Sequence, residues 1–123
     1  MTLRVGIDHV EIKRIARLME NPKFLPRCFG ERELAYLKQK GFPPASVAAG
    51  FCAKEAFSKA LGTGVRGFLM REAELLREAN GRPFFSFSGQ ALELVKQSGL
   101  SFEVSVSHDR RYALAQVIGY GKW

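Results

Sequence analysis

The chain is poor in cysteine, in acidic residues and in long apolar runs, and each shortage narrows what it can be. Its two cysteines, Cys28 and Cys52, match neither a zinc-ligand spacing nor a disulfide framework. In a reducing compartment both are expected as free thiols, with Cys52 acting as a small buried hydrophobe. No apolar stretch reaches the ~18 residues of a membrane span, so no membrane role is expected. The opening MTLRVGIDHVEI meets an Asp and a Glu early and lacks the apolar segment of a secretory signal. The expected location is therefore cytoplasmic. Twelve acids stand against 19 Lys plus Arg, a formal net charge of +7. That excess predicts anionic partners: nucleic acid, acidic proteins or phosphorylated small molecules. The basic residues are spread along the chain, so a disordered basic tail is not their source.

What is present is enough for a core. In 123 residues, 46% are hydrophobic and ten are Phe, which suits one domain, 1–123, that folds without staples. Leu3 to Ile7 reads as a short first strand ending near Asp8. Val10, Ile12, Ile15, Leu18 and Met19 recur at roughly helical spacing, with Lys13, Arg14 and Arg17 opposite, and Asn21-Pro22 ends that helix. Glu31 and Glu33 open a second helix at the end the macrodipole favours for acids. Ser46 is placed to cap a third, which runs to about Leu61 and stops at Gly62. Beyond it, Glu72–Arg77 and Pro83–Phe87 flank Asn80-Gly81 as a hairpin. Gln90–Gln97 is a short helix. Ser101–Ser107 alternates with Phe102, Val104 and Val106 on one face. Asp109-Arg110-Arg111 then turns into Tyr112–Ile118, apolar enough for a buried strand. The class is α+β: helices concentrated in the first half, antiparallel strands in the second.

The third helix carries the most informative segment, Phe51-Cys52-Ala53-Lys54-Glu55-Ala56-Phe57-Ser58-Lys59-Ala60. Glu55 and Lys59 are one turn apart on one face, and Lys54 and Ser58 form a second such pair. The apolar residues are mostly small, so another segment can approach closely. Glu followed by Lys at i+4 is by itself a common solvated pair worth a few tenths of a kcal/mol. Joined to Asp8 it is a different object: two hard carboxylates suit magnesium, and an ammonium beside them can neutralise phosphate oxygens during phosphoryl transfer. Spacing alone leaves both readings open. A third polar cluster, Ser105, Ser107 and His108, closes a strand; a histidine there is also an ordinary surface residue. His9 points opposite to Asp8 and receives no role. Residues 12–28 hold five bases and one acid, Glu20, which makes a docking face for an acidic partner through Arg14 and Arg17.

Four segments in order complete a pattern. Gly6-Ile7-Asp8-His9-Val10-Glu11, the segment from Phe51 to Ala60, Asn80-Gly81-Arg82-Pro83 and Ser105-Val106-Ser107-His108 resemble the motifs of the holo-[acyl-carrier-protein] synthases. These are the short bacterial type of 4′-phosphopantetheinyl transferase. The resemblance spans almost the whole chain. It implies transfer of the phosphopantetheine arm of coenzyme A to a serine of acyl carrier protein, releasing 3′,5′-ADP, in the service of fatty acid biosynthesis. It implies that Asp8 and Glu55 hold magnesium and that Lys59 contacts the pyrophosphate. His108, Gly62 and Pro83 would lie against coenzyme A, with Pro83 near the adenine. Arg14 and Arg17 would receive the carrier protein, and the active sites would lie between the subunits of a homotrimer. Two positions depart from the family: Gly50, where Arg is frequent, and Asp109, where Thr is. Lys54, Arg82 or a neighbouring subunit are the candidates to replace the missing cation. Two other readings stand beside this one. A non-catalytic coenzyme A-binding module would bind without turnover; a small nucleic-acid-binding protein would show aromatics interleaved with a basic stripe.

Overall fold

The structure, a computed structural model, describes residues 1–121. The expected domain, 1–123, thus ends on two residues, 122 and 123, outside the described residues. Strand β1 (Thr2–Glu11) leads into helix α1 (Ile12–Leu18), followed by α2 (Phe24–Cys28), α3 (Glu31–Gln39) and α4 (Pro44–Leu61). A short 3-10 turn, Met70–Glu72, precedes β2 (Ala73–Arg77) and β3 (Pro83–Phe87). Then come α5 (Gly89–Ser98), β4 (Ser101–His108) and β5 (Tyr112–Gly121). One antiparallel sheet has the order β1-β5-β4, and β2 and β3 form a separate hairpin. The class is α+β, as the pattern of periods implies.

Helix α4 is the organising element because its side chains are small. Ala48, Cys52, Ala53, Ala56 and Ala60 are all buried, and the facing positions of β5 are Ala113, Ala115 and Val117. Short side chains on both surfaces let helix and sheet close to near-backbone distance. The closest approach is at Gly6 of β1, where a Cβ would collide with the carbonyl of Ala56. On its other side α4 presents Phe57. Its ring lies 5.4, 5.5, 4.8 and 5.1 Å from the rings of Phe68, Phe85, Phe87 and Phe102. These are distances at which aromatic pairs gain beyond simple burial. The hairpin and the sheet are therefore joined through one helix, and the residues of α4 are held in register with β1.

Several expected boundaries shift, each for a physical reason. Strand β1 does not end near Asp8; it runs to Glu11, paired with β5 throughout from Thr2↔Gly121 to Glu11↔Tyr112. Val10 is buried as a strand residue, and the helix starts where the Ile12 amide donates to the carbonyl of Arg111. Helix α2 has no counterpart in the sequence reading: five residues with Pro26 among them are too short to show a period. Ser46 is not a cap. Helix α4 begins three residues earlier than that cap would set, with Pro44 at a position where a fixed φ and a missing N–H cost nothing. Gly62 does end α4, at φ +90°. Glu72 lies before β2, where its carboxylate accepts the amides of Leu69 at 3.0 Å and Gln90 at 3.2 Å. Strand β5 is buried on one face only. Leu114, Ile118 and Tyr120 are exposed, beside Leu3, Val5 and Ile7 of β1.

Candidate active site

Alternation along β1 turns Gly6, Asp8 and Val10 toward α4 and leaves Ile7 and His9 on the opposite face. Asp8 thereby meets the polar edge of α4. Lys59 does not pair with Glu55 one turn back, as a solvated helix pair would. Its Nζ reaches across to the sheet, donating to the carbonyl of Ile7 at 2.9 Å and to Asp8 Oδ1 at 3.3 Å. The Asp8 side chain is 19% exposed and that of Lys59 53%, so the pair lies where the buried face of the sheet meets solvent.

Glu55 is half-buried beside this pair. Burial is the main cause that pushes its carboxyl above the usual range, and the charge of Asp8 pushes the same way; Lys59 and Arg14 pull it back. Asp8, Glu55, Lys59 and Arg14 thus share one electrostatic neighbourhood. Beneath it the Cys52 thiol donates to the carbonyl of Ala113 at 3.5 Å. Burial first, and then Asp8, push that thiol up to about 12, so Cys52 is inert packing under the carboxylates.

Among the described residues no group of three or more His, Cys, Asp and Glu gathers. A closed protein cage for a metal is therefore not offered. Two hard carboxylates that are half-buried but not sealed suit magnesium, which completes its octahedron with water and substrate phosphate.

The partners expected for Lys54 change. It does not pair with Ser58, whose hydroxyl donates to the carbonyl of Glu55 at 2.6 Å. Lys54 is fully buried and spends its three N–H donors on Glu33 Oε1, Glu33 Oε2 and the Ala73 carbonyl, each at 2.7 Å. Glu33 in turn accepts the amides of Gly30 and Leu75 at 3.0 Å. Burial pushes Glu33 up and Lys54 down, and their mutual attraction opposes both shifts. The burial of Lys54, though not its partner, is legible in the sequence: Lys54 sits among Cys52, Ala53, Ala56 and Phe57, on the apolar side of the helix.

Comparison with known proteins now bears on this cluster. The family model of the 4'-phosphopantetheinyl transferase superfamily matches residues 4–117. A holo-[acyl-carrier-protein] synthase of Clostridium beijerinckii is 40% identical over 119 residues, which is 96% of this chain and 97% of that protein. The crystal structure of the Neisseria meningitidis synthase superposes with a TM-score of 0.89 at 34% identity, covering 95% of this chain and 97% of that one. The Helicobacter pylori synthase, solved in complex with coenzyme A, has a TM-score of 0.81 at 30% identity, covering 94% and 99%. The chain belongs to the 4'-phosphopantetheinyl transferase superfamily.

The other positions matched to the family's motifs are dispersed within one chain. Gly62 caps α4 through its amide, bonded to the carbonyls of Ser58 and Lys59, and so lies one turn beyond Lys59. Pro83 starts β3 opposite Arg77. His108 ends β4, on the far side of β5 from Asp8. It lines an open recess of about 380 Å³ with His9, Ser107, Asp109, Tyr112 and Leu114. Among the described residues no hydrogen bond or ion pair links His108 or Pro83 to Asp8, Glu55 or Lys59. Arg14 and Arg17 are exposed on α1, and Arg17 makes a 4.0 Å contact with Glu11.

The two departures from the family resolve differently. At Gly50 an added Cβ would stand 2.9 Å from the ring of Phe29, so that ring occupies the space an arginine would need. Lys54 cannot replace the missing cation, being consumed by Glu33. Arg82 is engaged with Glu103 at 2.5 Å and Glu78 at 3.9 Å. The cations that line the recess beside Gly50 are Lys40 and Arg77. Asp109 closes the β4–β5 turn: its Oδ1 accepts the amides of Arg111 and Tyr112, both at 2.8 Å.

Proposed function

We propose that this protein transfers the 4′-phosphopantetheine arm of coenzyme A to a serine hydroxyl of apo acyl carrier protein, with magnesium held by Asp8 and Glu55. The observation that carries the reading is the convergence of Asp8, Glu55 and Lys59 where β1 crosses α4, in a chain of this family. Magnesium, when bound, supplies positive charge against the pyrophosphate oxygens. The chain's own residues do the rest. The serine oxygen attacks the β-phosphorus of coenzyme A; the bond from that phosphorus to the bridging oxygen breaks, and 3′,5′-ADP departs with the electron pair. Lys59 places its ammonium on the pyrophosphate and offsets the charge that grows on the leaving oxygen. Glu55, whose carboxyl is raised by burial and by Asp8, is suited to receive the serine proton.

The charge pattern supports the protein partner. Lys13, Arg14 and Arg17 project from α1, which borders the carboxylates, so an acidic carrier docked there brings its serine toward Asp8 and Glu55. An assembly is supported by the apolar sheet face: Leu3, Val5 and Ile7 are each more than half exposed. Single-chain folding leaves such a patch uncovered, and patches of that kind mark contact surfaces. A homotrimer pairing this face between copies would also let the His108 of one subunit, with Gly62 and Pro83 of another, meet a single coenzyme A. The setting is cytoplasmic, with fatty-acid carriers as the acceptors.

The direct test incubates the protein with apo carrier, coenzyme A and magnesium. The reading expects the carrier to gain the mass of one phosphopantetheine arm. No gain at any metal concentration or pH overturns it.

A further inference from the structure

We propose that Lys59 is an internal counter-cation: in the metal-free protein its ammonium occupies the cation seat at Asp8, and a divalent ion loads by displacing it. The inference rests on the reading of Asp8 and Glu55 as metal ligands. It begins from a geometric conflict. Lys59 Nζ is held by two oxygens, Ile7 O at 2.9 Å and Asp8 Oδ1 at 3.3 Å. A magnesium ion bonds oxygen at about 2.0–2.1 Å in near-ideal octahedral geometry. An ammonium and a dication on one carboxylate oxygen repel each other strongly at these separations, by amounts that burial increases. On Oδ1 the two cations compete, and the lysine is the mobile one, with a flexible stem and a side chain half exposed.

The arrangement gives Lys59 two consecutive positions. Without metal it neutralises Asp8, so two half-buried carboxylates do not face each other bare. With metal, the ammonium is released one helical turn from Glu55, free to meet phosphate oxygens. It also explains why Lys59 ignores Glu55 at i−4 and crosses to the sheet: the seat made by Ile7 O and Asp8 offers two acceptors where Glu55 would offer a lone solvated pair. Metal loading thus arms the phosphate-binding cation, and the two events are coupled through one side chain. By linkage, the same coupling makes an intact Lys59 weaken metal binding when no phosphate is present.

The test measures Mn²⁺ binding to the protein alone, without coenzyme A, by electron paramagnetic resonance. The Lys59→Met variant is expected to bind on the order of tenfold more tightly than wild type, from removal of one charge in direct contact. Arg14→Gln, which removes an equal charge not in contact with Asp8, is expected to shift affinity by far less. In wild type, reductive methylation of Lys59, read by peptide mass spectrometry, is expected to accelerate when Mn²⁺ is added. Equal or weaker binding by Lys59→Met, or a methylation rate indifferent to metal, overturns the proposal and leaves the metal site standing. Mn²⁺ binding that survives Asp8→Asn with Glu55→Gln, or no binding in any form, overturns the metal reading and this inference together.

Discussion

Lys54 and Lys59 lie five residues apart on the same helix, and each meets a carboxylate from another element. Lys54–Glu33 is sealed, with side chains 0% and 3% exposed, and every donor and acceptor is used. Lys59–Asp8 is longer, at 3.3 Å, and open. The first joins α3, α4 and β2 and leaves nothing to offer a ligand. The second sits partly exposed beside another carboxylate, where water, metal and phosphate can compete for each member. The chemical groups are alike; what separates a structural pair from a working one is whether solvent and substrate can reach it. A buried pair is costly to break, while an exposed one contributes little to stability and is available for chemistry.

The largest expected effect is on the sealed pair. Lys54→Met leaves the Glu33 carboxylate buried without its cation and is expected to cost about 3–5 kcal/mol of folding stability, read from urea unfolding. Next comes the open pair. Lys59→Met is expected to lower transfer about a hundred- to a thousand-fold, as loss of a transition-state donor does, with stability within about 1 kcal/mol of wild type. Smaller is the partial rescue: Lys54→Met with Glu33→Gln removes both charges and is expected to recover about 1–2 kcal/mol of the single loss. Full recovery is not expected, because Glu33 also accepts the amides of Gly30 and Leu75.

The smallest effect concerns a carboxylate with no lysine. Asp109 is held by backbone amides, which lower its carboxyl below the usual range. A group depressed in the folded state adds stability above its unfolded value, and that stability is lost as pH falls through the folded value. Asp109→Asn should therefore slightly lower stability near neutral pH and flatten the acid limb of the pH–stability curve below about pH 4, leaving the acid end unmoved.

The sequence carried much of this unevenly. Period and turn chemistry located α4, its stop at Gly62, the Asn80-Gly81 hairpin and the β4–β5 pair, because these are local properties. The reach of β1 to Glu11 was hidden, since Val10 and Ile12 fit a helical spacing as well as a strand. Helix α2 left no trace at five residues. At the candidate site, Asp8, Glu55 and Lys59 were picked out by residue type, but not who bonds whom. The i+4 spacing pointed Lys59 at Glu55, and only the crossing of β1 under α4 directs it to Asp8. The burial of Lys54 was legible in principle from its apolar neighbours; its partner Glu33, 21 residues away, was not.

Two lysines on one helix thus divide the labour between stability and chemistry. The measurement that tests this division most directly takes turnover and unfolding free energy from the same preparations of wild type, Lys54→Met and Lys59→Met, with saturating magnesium, coenzyme A and apo carrier. The expected pattern is crossed: Lys59→Met keeps its stability and loses transfer, while Lys54→Met loses stability and, in the fraction that stays folded, retains most of its turnover. If Lys59→Met transfers the arm at the wild-type rate, or if it unfolds as readily as Lys54→Met, the open pair is not the working one and the assignment of the site is wrong.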